Sequence, residues 1–209
     1  MGKGVAEALR CAYLDTGLMY RAVTWLALQA GIDPDDGTAL GSLAKGVRFE
    51  IPAGTESWIR ANGIDLGDEL RSEDVDAAVS RVSVHRPVRR SLVEKQRGFA
   101  SGRCAVVVGR DIGTTVLPDA LVKLWVTASP EQRAKRRLRD ERDPHATVGA
   151  VADRIAARDT LDAGRDVSPL RRAEEAFVLD TDQLSPEEAV AAALQRVRLA
   201  VETLSQAER

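Results

Sequence analysis

Two runs of consecutive apolar residues predict strands of a parallel sheet. Ala105 to Val108 is entirely apolar, and Leu121 to Ala128 is nearly so. Runs without alternating polar positions are typical of strands buried on both faces of a parallel sheet. We expect the first strand to extend over residues 105–111, ending in the charged pair Arg110 and Asp111.

Apolar residues at helical spacing lie between the predicted strands. Met19, Val23 and Leu26 follow a short strand candidate at residues 11–14, and Thr16 is the expected N-cap of their helix. Further helices are expected at 5–10, 38–45, 72–84, 87–96, 130–142, 150–163 and from 185 onward, with a last strand at 176–179. Strands that alternate with helices predict an α/β fold with a parallel sheet. We expect one domain over residues 1–209.

Residues 47–70 have a different pattern, because apolar and polar residues alternate at 47–51 and again at 58–61. The alternation is followed by Asn62-Gly63, a dipeptide typical of tight hairpin turns. We therefore expect a small antiparallel insertion within residues 46–84. A strongly basic segment lies within a second excursion, residues 130–165.

Composition excludes several classes of protein. A net charge of -2 gives no general attraction to nucleic acid, and 4% aromatic residues provide few platforms for stacking bases. No apolar run is long enough to span a membrane and no signal peptide is recognisable, so we expect a cytoplasmic protein. Cys11 and Cys104 form no metal-ligand pattern, and we expect buried reduced thiols.

Arginines occupy several positions at predicted strand ends and helix starts. Only five of the 30 basic residues are lysines. Arg158, Asp162 and Arg165 are spaced i, i+4 and i+7, which places them on one helix face. Converging guanidinium groups would bind a phosphate through paired hydrogen bonds. From the residues alone, a solvated helix face and, for Arg110 and Asp111, a surface loop with an internal ion pair remain alternatives.

Three segments resemble the signatures of one enzyme family. They are LDTGLMYRAVT at 14–24, GRDIGTTVLPDA at 109–120, and RDTLDAGR at 158–165 followed by SPL at 168–170. In this order they are similar to the signatures of bacterial cytidylate kinases, and the likeness covers nearly the whole chain from residue 5. The resemblance implies a P-loop nucleoside-monophosphate-kinase-like fold: a parallel sheet flanked by helices, with a small antiparallel insertion and a helical lid.

The resemblance also implies an activity, the transfer of the γ-phosphate of ATP to CMP or dCMP, and a role for each matching residue. The CMP phosphate would be held by arginines at Arg21, Arg110 and Arg165, which are also the expected catalytic residues. The cytosine edge would be read by Ser80, Arg89 and Asp111, and the sugar by Arg158 and Asp162, with Asp15 and Thr16 framing the pocket. The lid would contribute Arg133 and Arg137 to ATP, which would bring Mg²⁺. We expect a monomer without nucleic-acid or membrane partners.

One motif of this family has no match in the chain. Met1-Gly2-Lys3-Gly4 contains the Gly-Lys pair of a P-loop, but the expected strand and glycine-rich loop do not precede it. The family's first strand is central in its sheet, so its loss would expose the edges of two apolar strands. We therefore expect the first strand, the phosphate loop and the start of the first helix to be missing, through truncation or a misassigned start.

Two other functions remain alternatives to an active kinase. A catalytically impaired remnant would bind CMP but not ATP. RNA binding through the basic helix at 133–142 is a further alternative, which the near-neutral charge and the interspersed acidic residues disfavour.

Overall fold

A computed structural model describes residues 1–139, 147–163 and 171–207 of the chain. It divides into two compact units, residues 2–117 and residues 118–209 with Met1, and each is described by itself. The prediction of one domain stays a prediction.

The unit of residues 2–117 consists of five helices and five strands. They are α1 (Gly2–Leu9), β1 (Ala12–Asp15), α2 (Thr16–Gln29), α3 (Gly37–Gly46), β2 (Phe49–Glu50), β3 (Arg60–Ala61), β4 (Ile64–Asp65), α4 (Glu73–Ser83), α5 (Arg86–Ala100) and β5 (Ala105–Val108). A 3₁₀ turn, Asp68–Arg71, precedes α4, and a π-helical turn, Ile112–Val116, follows β5. This order confirms the alternation of strands and helices expected from the sequence.

Strands β1 and β5 form a parallel pair in register, from Ala12 opposite Ala105 to Asp15 opposite Val108. Helix α1 packs against both strands. Lys3 lies inside α1, where its ammonium is 3.8 Å from Glu7, and not on a glycine-rich loop. The carboxyl ends of β1 and β5 lie side by side, which is where ligands bind in open α/β sheets.

The core of this unit lies between α2, α3, α5 and the paired strands. Its fully buried side chains come from successive turns of these helices, as the helical spacing predicts: Met19, Val23, Leu40, Val88 and Leu92. Pro87 lies in the first turn of α5, where a missing N–H costs nothing.

The antiparallel insertion predicted between residues 46 and 84 is present. Strands β2, β3 and β4 form a small antiparallel sheet, with Phe49 opposite Ala61 and Arg60 opposite Asp65. Asn62 and Gly63 both have positive φ angles, 55° and 80°, which a two-residue hairpin turn requires.

The described residues of the unit 118–209 form a second parallel pair and three helices. They are β6 (Leu124–Thr127), α6 (Pro130–Arg139), α7 (Val148–Ala163), β7 (Phe177–Asp180) and α8 (Pro186–Ala207). Leu124 lies opposite Phe177 and Thr127 opposite Asp180. Ser129 caps α6, and Ser185 and Glu188 form a reciprocal capping box at the start of α8.

Two predictions about β5 are wrong. The strand ends at Val108, because residues 109–111 bend toward the π-helical turn. It is also not buried on both faces: Ala105, Val106 and Val107 are half-buried and Val108 is 38% exposed. The physical reason is that β5 pairs only with β1 among the described residues, so its other edge lacks a neighbouring strand.

The prediction of reduced thiols is also wrong. Cys11 and Cys104 form a disulfide, with Cα atoms 4.9 Å apart. They immediately precede β1 and β5, and the parallel register brings them together. Cysteines 93 residues apart in the sequence give no sign of this adjacency until the strand pairing is known.

Candidate active site

The start of α2 lies at the carboxyl end of β1. The Asp15 carboxylate caps the helix by accepting a hydrogen bond from the Gly17 N–H at 2.9 Å. Thr16, the predicted cap, is instead the first helical residue, and its hydroxyl donates to the Val108 carbonyl at 2.9 Å. Thr16 therefore fixes the start of α2 to the end of β5.

Gly109 permits this close approach. A Cβ atom at this position would collide with the Thr16 hydroxyl oxygen and would lie 2.8 Å from Ile112 Cδ1. Only glycine can place the end of β5 directly against the start of α2. The following π-helical turn is held by Arg97, which donates to the carbonyls of Val116 and Thr115 at 2.9 and 2.7 Å.

Burial raises the pKa of Asp15 above its ordinary value. The N–H of Gly17 and the positive charges of Arg21 and Arg71 oppose this shift without cancelling it. The carboxylate is therefore kept in a desolvated position next to two cations.

Arg89 and Asp111 form a buried ion pair beyond the end of β5. Arg89 Nη2 lies 2.5 Å from Asp111 Oδ2, and the two side chains are only 5% and 8% exposed. Arg89 Nη1 donates to the Ser83 carbonyl at 3.2 Å, and the guanidinium lies 5.5 Å from the centre of the Tyr20 ring. Helices α2, α4 and α5 thus meet at one polar point.

One donor of this pair lacks an acceptor among the residues that the structure describes. Arg89 Nε is buried and makes no hydrogen bond within the part of the chain that the structure describes. A buried N–H without an acceptor costs free energy, so such donors are rare unless a ligand satisfies them. Arg89 is therefore suited to donate to a bound molecule.

Arg21 extends from α2 toward the segment that follows strand β4. Its Nη1 donates to the Leu70 carbonyl at 2.7 Å, and its Nη2 lies 2.5 Å from Asp76 Oδ1 on α4. Asp76 and Ser80 are one helical turn apart on α4. Ser80 is half-buried, and its carbonyl accepts a hydrogen bond from the Ser83 hydroxyl.

The predicted residues of the unit 2–117 thus fall into two connected groups. Arg89 and Asp111 are in direct contact, whereas Arg21 contacts Asp76. Tyr20, which lies next to Arg21 on α2, contacts Arg89, so α2 connects the two groups. Arg110 is half-buried and lies two residues beyond the end of β5.

The other predicted residues belong to the unit 118–209. Arg133 is half-buried and Arg137 exposed on α6. Arg158 and Asp162 are one turn apart on α7, as predicted. Arg165 lies outside the described residues, as does Arg142 of the basic segment.

Sequence reasoning missed several residues of the site. Asp76, the Leu70 carbonyl, Tyr20 and Arg71 were not predicted, although each lies beside a predicted residue. The spacing of Asp76 and Ser80 by four residues on one helix was the available signal for Asp76.

The described residues include no group of three or more His, Cys, Asp or Glu side chains that could hold a metal ion. Among the described helices, none has both the length and the apolar character needed to cross a membrane.

Comparison with known proteins connects this geometry to one family. A family model described as cytidylate kinase matches residues 1–199. The cytidylate kinase of Mycobacterium avium (strain 104) is 47% identical over 195 residues, which cover 88% of this chain and 83% of the relative. The cytidylate kinase of Geobacillus kaustophilus is 43% identical over 193 residues, covering 91% and 86%. That of Mycobacterium leprae (strain Br4923) is 43% identical over 198 residues, with the same coverage.

Proposed function

This chain belongs to the cytidylate kinase family, and on that premise we propose that it transfers the γ-phosphate of ATP to CMP or dCMP, giving ADP and CDP or dCDP. The relatives match along 83–86% of their own length, so the comparisons do not support the alternative of an impaired remnant.

The buried pair of Arg89 and Asp111 is the observation that carries this proposal. Cytosine presents an amino group that needs an acceptor, while its N3 and ring carbonyl need donors. Asp111 offers a carboxylate, and Arg89 keeps a buried donor, Nε, that has no acceptor in the described chain. Uracil has a carbonyl where cytosine has the amino group, so it would face the Asp111 carboxylate with a second acceptor. We infer that this pair, together with Ser80, selects cytosine.

Phosphate binding is proposed for the arginines. Arg21 and Arg110 lie on the segments that follow β1 and β5. The assignment of Arg165 to the phosphate rests on the family resemblance alone. An oxygen of the CMP phosphate attacks the γ-phosphorus of ATP, and the bond from that phosphorus to the bridging β-oxygen breaks. ADP leaves with the bonding electrons. Positioning and charge neutralisation by arginines suffice for this step, and no protein nucleophile is required.

The remaining assignments stay predictions. Arg158 and Asp162 are proposed for the sugar, Asp15 and Thr16 for the pocket wall, and Arg133 and Arg137 for ATP. Mg²⁺ would arrive with ATP, and because the described residues provide no carboxylate cluster for it, we assign it no protein ligand. A cytoplasmic location, a monomeric state and the absence of nucleic-acid partners also remain predictions.

Turnover and binding together test the proposal. ADP release is measured with ATP, Mg²⁺ and CMP, dCMP or UMP, and CMP and ATP are titrated separately by calorimetry. We expect turnover with CMP and dCMP, little with UMP, and binding of both CMP and ATP. Binding of CMP alone without turnover would instead establish the remnant, and binding of neither nucleotide would contradict the proposed function.

A further inference from the structure

Arg21 has an acidic partner in the structure that the proposed function does not explain. Its side chain is only 14% exposed, and its guanidinium is held by two acceptors on different nitrogens. One is the Leu70 carbonyl, 2.7 Å from Nη1, and the other is Asp76 Oδ1, 2.5 Å from Nη2. A single contact would leave the planar group free to rotate, whereas two contacts fix the direction of its remaining donors.

We propose that Asp76 is a positioning residue for the phosphate of the acceptor nucleotide. It acts through Arg21 by holding the guanidinium in place before the nucleotide arrives. This inference rests on the proposed function, in which Arg21 binds the CMP phosphate.

Asp76 should affect the affinity for CMP because it orients Arg21 before the nucleotide binds. An arginine side chain loses considerable rotamer freedom when it is immobilised, and a side chain that is already fixed loses less upon binding. The two observed contacts use two of the five guanidinium N–H donors, so the others can meet phosphate oxygens.

The position of Asp76 on α4 extends its influence along the site. Asp76, Ser80 and Ser83 are spaced i, i+4 and i+7, so they share one face of the helix. Asp76 contacts Arg21, and the Ser83 carbonyl accepts from Arg89. Helix α4 therefore contacts both the arginine proposed for the phosphate, through the Asp76 side chain, and the arginine proposed for the base, through the Ser83 carbonyl.

The partial exposure of Asp76 favours positioning over competition with the phosphate. The Asp76 side chain is 39% exposed, so water screens the repulsion between its carboxylate and a nearby phosphate. The short contact to Arg21 depends on the acceptor oxygen, which an amide would also supply.

Calorimetry with CMP and with cytidine separates the phosphate contribution from the rest of the ligand. Asp76→Ala should weaken CMP binding about tenfold and raise the KM for CMP equally. Cytidine affinity should stay within about twofold of the unsubstituted protein, since cytidine binding does not depend on prior fixation of Arg21. The kcat should also stay within about twofold, because the geometry of the bound nucleotide does not depend on that prior fixation. Asp76→Ser serves as a second truncation if the alanine variant does not fold.

Two variants control for charge and for the acceptor. Asp76→Asn keeps an oxygen beside Arg21 Nη2, and we expect CMP affinity within about threefold of the unsubstituted protein. Asp74→Ala removes an equal charge from an exposed position in the same first turn of α4, and it should leave CMP affinity unchanged.

The outcomes separate this inference from the proposed function. Unchanged CMP affinity in the truncated variants overturns the role of Asp76, even if their stability falls. The role of Asp76 is also overturned if Asp76→Asn, or the control Asp74→Ala, loses as much CMP affinity as Asp76→Ala. Failure of the unsubstituted protein to bind CMP would contradict the proposed function itself.

Discussion

At the carboxyl ends of both parallel strand pairs in the described part of the chain, a threonine hydroxyl joins the two strands. In the first pair, the Thr16 hydroxyl after β1 donates to the Val108 carbonyl of β5 at 2.9 Å. In the second pair, the Thr181 hydroxyl after β7 donates to the Thr127 carbonyl of β6, also at 2.9 Å. Each bond fixes the strand ends, where open α/β sheets bind ligands.

The two strand pairs differ in the contacts of the arginine near their carboxyl ends. Arg136 donates to the Thr181 hydroxyl and carbonyl at 2.9 and 2.5 Å, so it joins α6 to the end of β7. Arg89 instead pairs with the buried Asp111 carboxylate and keeps a buried donor that has no acceptor among the described residues. An arginine whose contacts are backbone and hydroxyl groups stabilises the fold, whereas a buried charged pair with a spare donor is suited to a ligand.

Replacing Arg89 should produce the largest effect. Arg89→Met leaves Asp111 as an unpaired buried charge, so we expect a loss of about 3–5 kcal/mol in the free energy of unfolding. It also removes a base-reading donor, and kcat/KM for CMP should fall at least about 100-fold. Chemical denaturation and ADP release measure the two effects.

A double variant separates stability from recognition. Arg89→Met with Asp111→Leu removes both buried charges, so stability should largely recover while activity with CMP does not. Recovery of activity would show that the pair is only structural. Arg81→Met is the matched control, because Arg81 contacts Asp35 in an exposed pair and its loss should barely change activity.

The disulfide distinguishes the amino ends of the two strand pairs. Cys11 and Cys104 precede β1 and β5, whereas the second pair has no cysteines because the chain contains only these two. Reduction should lower the free energy of unfolding by about 4 kcal/mol, since the bridge closes a long loop. CMP affinity should change little, because the candidate ligand site lies at the opposite ends of the strands.

Urea unfolding with and without reductant measures this effect. Cys104→Ser should be as unstable as the reduced protein and should show no further response to reductant. An identical midpoint for the oxidised and reduced protein would contradict the prediction.

Replacing Arg136 should have a smaller effect, on stability alone. Arg136→Met leaves the Thr181 carbonyl and hydroxyl without their donor, and we expect a loss of about 1–3 kcal/mol. CMP affinity measured by calorimetry should not change. Arg139→Met on the exposed side of α6 is the control, and a marked loss of CMP affinity in Arg136→Met would remove the contrast with Arg89.

Asp15 should have the smallest effect, one that depends on pH. Burial raises the pKa of Asp15, so the ionised carboxylate is disfavoured in the folded protein. The stabilisation from the protonated Asp15 carboxyl is fully present below the pKa that Asp15 has in the unfolded chain. It is lost as the pH rises through the higher pKa that Asp15 has in the folded protein. Asp15→Asn keeps a capping oxygen, and we expect a more stable protein at pH 7, with the gain vanishing at acid pH.

Thermal unfolding across this pH range measures the change. Asp36→Asn makes the same substitution at the exposed N-cap of α3 and reports the effect of asparagine as a cap. A gain in stability that is equal at pH 7 and at acid pH would contradict the assignment to the Asp15 charge.

Local signals were sufficient to predict most elements. The spacing of Met19 and Val23 predicted α2, and Pro87 marked the start of α5. The turn at Asn62 and Gly63 predicted the insertion. These features depend on residues a few positions apart, so they can be recognised without knowledge of the tertiary fold.

Signals within the site were less complete. Arg89 and Asp111 were both predicted to contact the cytosine base, and the two side chains lie in contact. The capping role of Asp15, in place of Thr16, depends on the Val108 carbonyl, which is 92 residues from Thr16 in the sequence. Such a partner becomes visible only when β1 pairs with β5.

The sequence by itself determined the family, the order of helices and strands, and the residue types available to bind a nucleotide. Tertiary structure decided which of these groups meet: the disulfide of Cys11 and Cys104, the contact of Arg21 with Asp76, and the exposure of Val108. The physical reason is that helical periodicity and turns arise from local backbone geometry. Strand pairing and the burial of charges instead depend on residues far apart in the chain, which only folding brings together.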